Sequence, residues 1–437
     1  MNKFAKDGLT ICLIGVVALG GYIGYKAYKV NEVINQTIAD IDELNKEIPH
    51  PLVASHKLTK GAFKSTGLYS IKVEKEGELL ELKFNYTVNH GIKDLFTGTY
   101  PILGSIDVYD TQGVLKKIGI ESNLVKVTGN FYKNGSFDLK GLSKSMDISR
   151  FAGVKLAPIT IGYEYDNDTK YAKVTTYFPM IKQVNGTEIK NAKIILNTSV
   201  KNILTKTGLT EINSKTTNYE NILVGKGSIE IESVTSNYAS IKNITAKYFS
   251  EKNGSKYNSG VTLNIGEAKT IITDSKSITG GFDININDVD GDFMLQYYKL
   301  MKDRKFKKLT KENLDVAKLF KNGFSINLNK LNYSDGTNSL ESNAQIKFIE
   351  QDINKPINLR ENTLVAINLD GKGEMVEMVK SFAAHEYFEG QPEGKANVKI
   401  LFNKNQMVIN NKQALPEDTE NLTSILDDTS RKINEME

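Results

Sequence analysis

Cysteine, histidine and long apolar runs are all scarce in this 437-residue chain, and each shortage narrows what it can be. The single cysteine, Cys12, excludes an intrachain disulfide, and its place inside an apolar segment leaves thiol chemistry without a carrier. The four histidines, His50, His56, His90 and His385, form no paired ligand spacing, so a helical zinc motif is missing. No serine stands in a Gly-x-Ser-x-Gly elbow. What is present is an ordinary folded composition, 40% hydrophobic and 25% charged, long enough for two or three domains or one large β architecture. Nothing in it identifies a reaction.

One apolar run is long. Gly8 to Tyr25, GLTICLIGVVALGGYIGY, has no charge and is flanked by Lys3 and Lys6 on one side and Lys26 and Lys29 on the other. A helix needs about 20 mostly apolar residues to cross the hydrocarbon core, so the segment predicts an anchor carried by Leu9, Ile11, Leu13, Ile14, Val16, Val17, Leu19 and Ile23. A cleaved signal peptide is the alternative, because Ala18-Leu19-Gly20 offers small residues at cleavage-like spacing. The apolar stretch runs past that site without a polar region before it, which favours the anchor. Charge bias slightly favours an inside N-terminus, leaving the bulk of the chain in the periplasm or exterior.

Next, Val30, Ile34, Thr37, Ile41, Leu44 and Ile48 recur at spacings of four and three and stop at Pro49 and Pro51. This predicts an amphipathic helix whose stripe packs on its own body or, through Val30, Ile34, Ile41, Leu44 and Ile48, drives homo-oligomerisation. Charge is uneven beyond it. Lys299 to Lys321 carries nine bases and three acids, and the tail from Glu417 to Glu437 seven acids and two bases. The basic stretch includes core-helix spacing and lacks any nucleic-acid motif, so it reads as a solvated helix face, with no nucleic-acid partner.

From Tyr69 the dominant period is two. Tyr69, Ile71 and Val73 alternate with polar residues, Glu76-Gly77 makes a turn, and Leu80, Leu82, Phe84, Tyr86 and Val88 alternate again. Asn-Gly pairs at 134–135, 185–186 and 253–254 supply the positive φ of tight hairpins. The fold class expected is α+β, predominantly antiparallel β, with large curved sheets and a few helices behind one N-terminal transmembrane helix. The expected divisions are an anchor at 1–25, an amphipathic helix at 26–48, an antiparallel region at 49–290, a helix plus C-terminal α+β region at 291–416, and a flexible acidic tail at 417–437. Helices are expected at 293–321, capped by Asn322-Gly323, and at 374–387; the tail predicts a frayed helix or disorder.

Three motifs imitate active sites. Lys60-Gly61-Ala62-Phe63-Lys64-Ser65 has Phe63 where a phosphate loop needs glycine before its Lys-Ser pair, and it leads into a strand, so it reads as a turn. Asp288-Val289-Asp290-Gly291-Asp292 resembles a phosphatase nucleophile loop but lacks the following threonine. It lacks the twelfth-position glutamate of a calcium loop as well, leaving opportunistic cation binding by a turn. His385 to Glu389, HEYFE, has glutamate where a second zinc imidazole belongs. No catalytic residue, metal site or cofactor is therefore expected.

Several of these pieces, in this order, resemble the YdgA family of uncharacterised bacterial envelope proteins. They are the N-terminal membrane segment, the turn at Lys60 to Ser65, the turn Asn89-His90-Gly91-Ile92, the mid-chain helix, and the closing hairpin from Asn403-Lys404-Asn405 through Val408 to Lys412. Ile92 stands where the family has proline and Asn411 where it has glycine. The resemblance implies an inner-membrane-anchored protein of a Gram-negative bacterium with a periplasmic body, and transfers no catalytic residue. The expected role is a non-enzymatic binding or structural component, holding a lipid or other hydrophobic ligand on a curved sheet. The alternatives are an envelope hydrolase using Asp288 and Asp290, and a scaffold assembled through the helix at 30–48.

Overall fold

The computed structural model describes residues 52–59, 64–75, 78–89, 97–110, 113, 124–132, 134, 136–149, 153–166, 168–169, 171–199, 224–270, 276–303, 315–352 and 354–435. The predicted anchor and the stripe from Val30 to Ile48 lie outside them, as do Lys60 to Phe63 and His90. The described residues form mostly antiparallel β-sheet with five helices, in two compact units meeting between Asn237 and Tyr238. The sequence-based boundary at 290/291 falls inside the second unit, where a strand hands over to a helix.

In the first unit, β1 (Leu52–Thr59), β2 (Lys64–Lys75), β3 (Glu78–Asn89), β4 (Thr99–Asp110), β5 (Val125–Tyr132) and β6 (Phe137–Ser143) pair antiparallel in chain order. A short hairpin of β7 (Met146–Ile148) and β8 (Val154–Leu156) follows. The sheet resumes as β6 pairs β9 (Thr160–Asp166), then β10 (Tyr171–Gln183), β11 (Glu188–Ser199) and β12 (Gly225–Thr235). Among the described residues β12 does not return to β1, so the sheet is unclosed.

Period-two alternation gives this sheet an inner face. Tyr69, Phe84, Tyr86, Ile102, Phe137 and Tyr163 lie on it at 1–6% exposure, each aromatic worth about 1.5–3 kcal/mol of burial. Gly67 and Gly104 flank Tyr86 across the ladder, and a Cβ at Gly67 would come within 2.1 Å of Tyr86 Cζ. Only glycine lets that ring lie flat over its neighbour. His56 stacks on the same ring, its Nε2 2.8 Å from the Tyr86 hydroxyl.

The second unit is a meander: β13 (Ala239–Asn253), β14 (Lys256–Thr270), β15 (Ile278–Asp290), β16 (Phe324–Ser334), β17 (Ser339–Phe348), β18 (Thr363–Lys372), β19 (Lys395–Asn403), β20 (Gln406–Ile409) and β21 (Lys412–Gln413) pair in chain order. The Asn-Gly reading holds at two turns, with Gly186 at φ 87° and Gly254 at φ 62°. At the closing hairpins Lys404-Asn405 and Asn410-Asn411 all take left-handed φ, from 43° to 66°, so Asn411 supplies the geometry that glycine would.

Its five helices depart from expectation in three places. The helix expected at 293–321 is two: α1 (Gly291–Asp303) and α2 (Val316–Lys321), the second with its own start, where Asp315 Oδ1 accepts from Lys318 N at 2.9 Å. Gly323, at φ 65°, ends it as expected. After α3 (Leu359–Asn362), the helix expected at 374–387 is α4 (Met375–Lys380), followed by extended Ala384 and a 3-10 turn at His385–Phe388.

The tail expected to fray or be disordered is a 20-residue helix, α5 (Pro416–Glu435), with Leu426 and Ile433 buried. Its apolar stripe looks short because Thr423 and Ser430 complete the buried face. Each hides its hydroxyl on a helix carbonyl, Thr419 O at 2.9 Å and Leu426 O at 2.7 Å. Ser430 Oγ also accepts from Leu359 N, and Asn434 exchanges two hydrogen bonds with the Ile357 backbone.

Candidate functional site

The carboxylates singled out in the sequence have structural partners. Asp290 Oδ1 accepts from Phe293 N at 3.0 Å as the N-cap of α1, while its Oδ2 takes Asn322 Nδ2 at 2.7 Å. Asp292 binds Lys318 at 2.5 Å, and that carboxylate holds the lysine above its ordinary pKa. Asp288 has a left-handed backbone at φ 63°, and its N–H donates to Asn258 Oδ1 beside a β-bulge. The loop thus turns the end of β15 into a helix start.

The HEYFE stretch is likewise occupied by packing. Tyr387 and Phe388 are buried in the second unit's core, and the Tyr387 hydroxyl donates to Asp418 at 2.9 Å while accepting from Leu415 N. Among the described residues no group of three histidine, cysteine or acidic side chains could hold a metal ion. Lys64 to Thr66 lie in β2, not in a phosphate-binding helix start. No helix among the described residues is long and apolar enough to cross a membrane. A groove of about 790 Å³ beside α5 is lined by Arg360, Asn405, Glu420, Asp427, Asp428 and Arg431 among others. Its guanidiniums already lie on carboxylates of α5, Arg360 on Asp427 at 3.2 Å and Arg431 on Asp428, so it reads as a solvated helix flank.

One apolar surface feature was not picked out as a site. In the second unit three successive cross-strand rows are apolar on one face of the sheet: Tyr248, Val261, Ile284 and Leu328; Ala246, Leu263, Phe282 and Leu331; Ile244, Ile265, Gly280 and Tyr333. The opposite face carries Thr245, Asn264 and Asn332, or Lys247, Thr262, Asp283 and Lys330, in the intervening rows. Tyr248, Val261, Ile278, Ile284 and Ile286 are nevertheless 37–48% exposed. Contiguous apolar surface of this kind marks interaction sites more often than chance exposure does.

The same rows continue into a closed core. Leu328 aligns with Ala344, Ile367 and Ile400, and Leu331 with Ser342, Leu369 and Val398, which is fully buried. There α4, with Val379 at 0% exposure, the 3-10 turn and α5 contribute to one cluster with the sheet. Over β13 to β15 the described helices leave the face uncovered except at one end. At that end Phe293, Met294 and Phe320 pack with Val289, Phe324 and Phe348. At the other end the series step from apolar to charged: Ile244 to Lys242 on β13, and Ile265 to Glu267 and Lys269 on β14. Glu267 accepts from Lys242 at 2.8 Å and Ser277 at 3.1 Å, contacts that hold its carboxyl down at about 2. The alternation of β13 to β16 was legible; its missing cover was not, because cover comes from residues remote in sequence.

A family model described as a bacterial protein of unknown function (DUF945) matches residues 1–385. The matched stretch stops before β19, whereas the second unit's core runs on through β21 and α5. No curated protein and no solved structure matches the chain.

Proposed function

The chain belongs to this family of bacterial proteins of unknown function, and within it we propose a YdgA-like, membrane-tethered, non-enzymatic protein that holds a lipid on the open sheet face of its second unit. The observation that carries the reading is the set of three apolar rows over β13 to β16, left 37–48% exposed at Tyr248, Val261 and Ile284 while the same rows are closed farther along. Exposed apolar surface in that amount is costly in water, at about 25 cal/mol per Å², and a hydrocarbon ligand removes the cost. The uncharged run from Gly8 to Tyr25 supports tethering to an inner membrane, with the body in the periplasm. A non-enzymatic role is supported by Asp290, whose carboxylate is committed to capping α1.

The test is photocrosslinking in cells. A photoreactive phenylalanine analogue replaces Val261 or Ile284 in the full chain, with Val398 as the buried control, and adducts are analysed by mass spectrometry. Lipid adducts are expected at 261 and 284 and not at 398. Equal yields at all three positions, or none, would reject the reading.

A further inference from the structure

Resting on the lipid-holding reading, we infer that the open face is polar along its length: two acyl chains of one phospholipid run parallel to β13–β16 with their ends against α1 and α2, and an anionic headgroup sits at the opposite end on Lys242, Lys269 and Lys276.

The dimensions fit a two-chain lipid. Over its three apolar rows, from Val261 to Ile265 on β14, the face spans about 14 Å at ~3.4 Å per residue, close to the ~15 Å of hydrocarbon in one bilayer leaflet. Across four strands it is about 14 Å wide, room for two chains side by side. One end is closed by hydrocarbon, where Phe320 meets Phe348 edge-on at 5.0 Å and Phe324 at 5.4 Å.

Among the described residues the other end is a band of charge with a positive surplus. Lys242 and Lys269, at 47% and 44% exposure, share the single carboxylate of Glu267 at 2.8 and 3.4 Å. Lys276 donates to the neutral Thr337 hydroxyl at 2.8 Å. The further acid facing it, Asp335, is turned into its own loop, accepting from Thr337 N, Asn338 N and Asn338 Nδ2. Among the described residues three ammonium groups thus face two carboxylates, one of which is engaged elsewhere. A phosphate arriving there gains two exposed ammonium groups that need only relax from a shared partner.

The experiment uses the full chain with the photoreactive analogue in place of Ile284 and reads the headgroup of the crosslinked lipid. Phosphatidylglycerol is expected in the adducts at about fivefold its share of the membrane, the preference of roughly one uncompensated lysine. The Lys242→Glu, Lys269→Glu, Lys276→Glu protein is expected to lose that enrichment, and the matching arginine protein to keep it. The milder glutamine triple should also lose it, which guards against misfolding of the charge-reversed chain. Adducts mirroring bulk membrane composition, or enrichment surviving charge reversal, would overturn the headgroup assignment alone. An adduct to the chain itself, or no lipid adduct anywhere, would overturn the lipid-holding reading with it.

Discussion

Val261 and Val398 lie on the same face of the same sheet, one on β14 and one on β19, yet the first is 48% exposed and the second fully buried. Their rows have the same chemistry: Leu263, Phe282 and Leu331 lead through Ser342 to Leu369 and Val398 by direct cross-strand pairing. What differs is cover. Over β18 and β19 the residues of α4, the 3-10 turn and α5 fill the space above the sheet, whereas over β13 to β15 the described helices reach only one end. A sheet face therefore becomes core or surface according to which other segments of the chain pack over it. Its own alternation is the same in both places.

The largest test of this contrast removes the cover. Ending the chain at Leu415 deletes α5, exposing the site of Leu426 and Ile433 and stripping the backbone at Ile357 and Leu359 of partners from Ser430 and Asn434. The expected loss is about 5 kcal/mol or more, comparable to the stability of a whole domain. Hydrogen exchange should show the second unit opening while the first stays protected. Preserved protection from 363 to 403 would break the comparison.

A matched pair of truncations comes next. Phe402→Ala, at a 2% exposed position under the helices, should cost about 3–5 kcal/mol in urea unfolding. Ile284→Ala, on the open rows, should cost about 1 kcal/mol while reducing lipid adducts. Equal costs would mean that the open rows are covered in solution.

Smaller again is Asp290→Ala, which removes the α1 cap and should cost about 1 kcal/mol by thermal unfolding. Smallest is the pH response of the first unit. Burial lowers the pKa of His56 below 6.5, so the folded state holds the neutral ring that stacks on Tyr86. As pH falls below 6.5 the unfolded chain takes up a proton before the folded one, so this contribution, present above 6.5, is lost progressively toward the lower folded pKa. His56→Phe should flatten that slope. An unchanged slope would remove His56 as its source.

Sequence alone determined the strands. Alternation such as Leu80, Leu82, Phe84 and Tyr86 has one solution that buries one face and wets the other, and Asn-Gly or Asn-Asn pairs provide left-handed turns between neighbours. It also showed why the tempting motifs fail, since Phe63 and Glu389 stand where the chemistry needs glycine and histidine. Tertiary structure decided that α5 is ordered, because the burial of Thr423 and Ser430 depends on hydroxyls satisfied by the helix itself and on a segment near Leu359. It also decided which apolar rows are closed. Periodicity is a property of neighbours two to four residues apart, whereas burial is set by whatever packs on top, and no local pattern in β14 distinguishes Val261 from its covered counterparts.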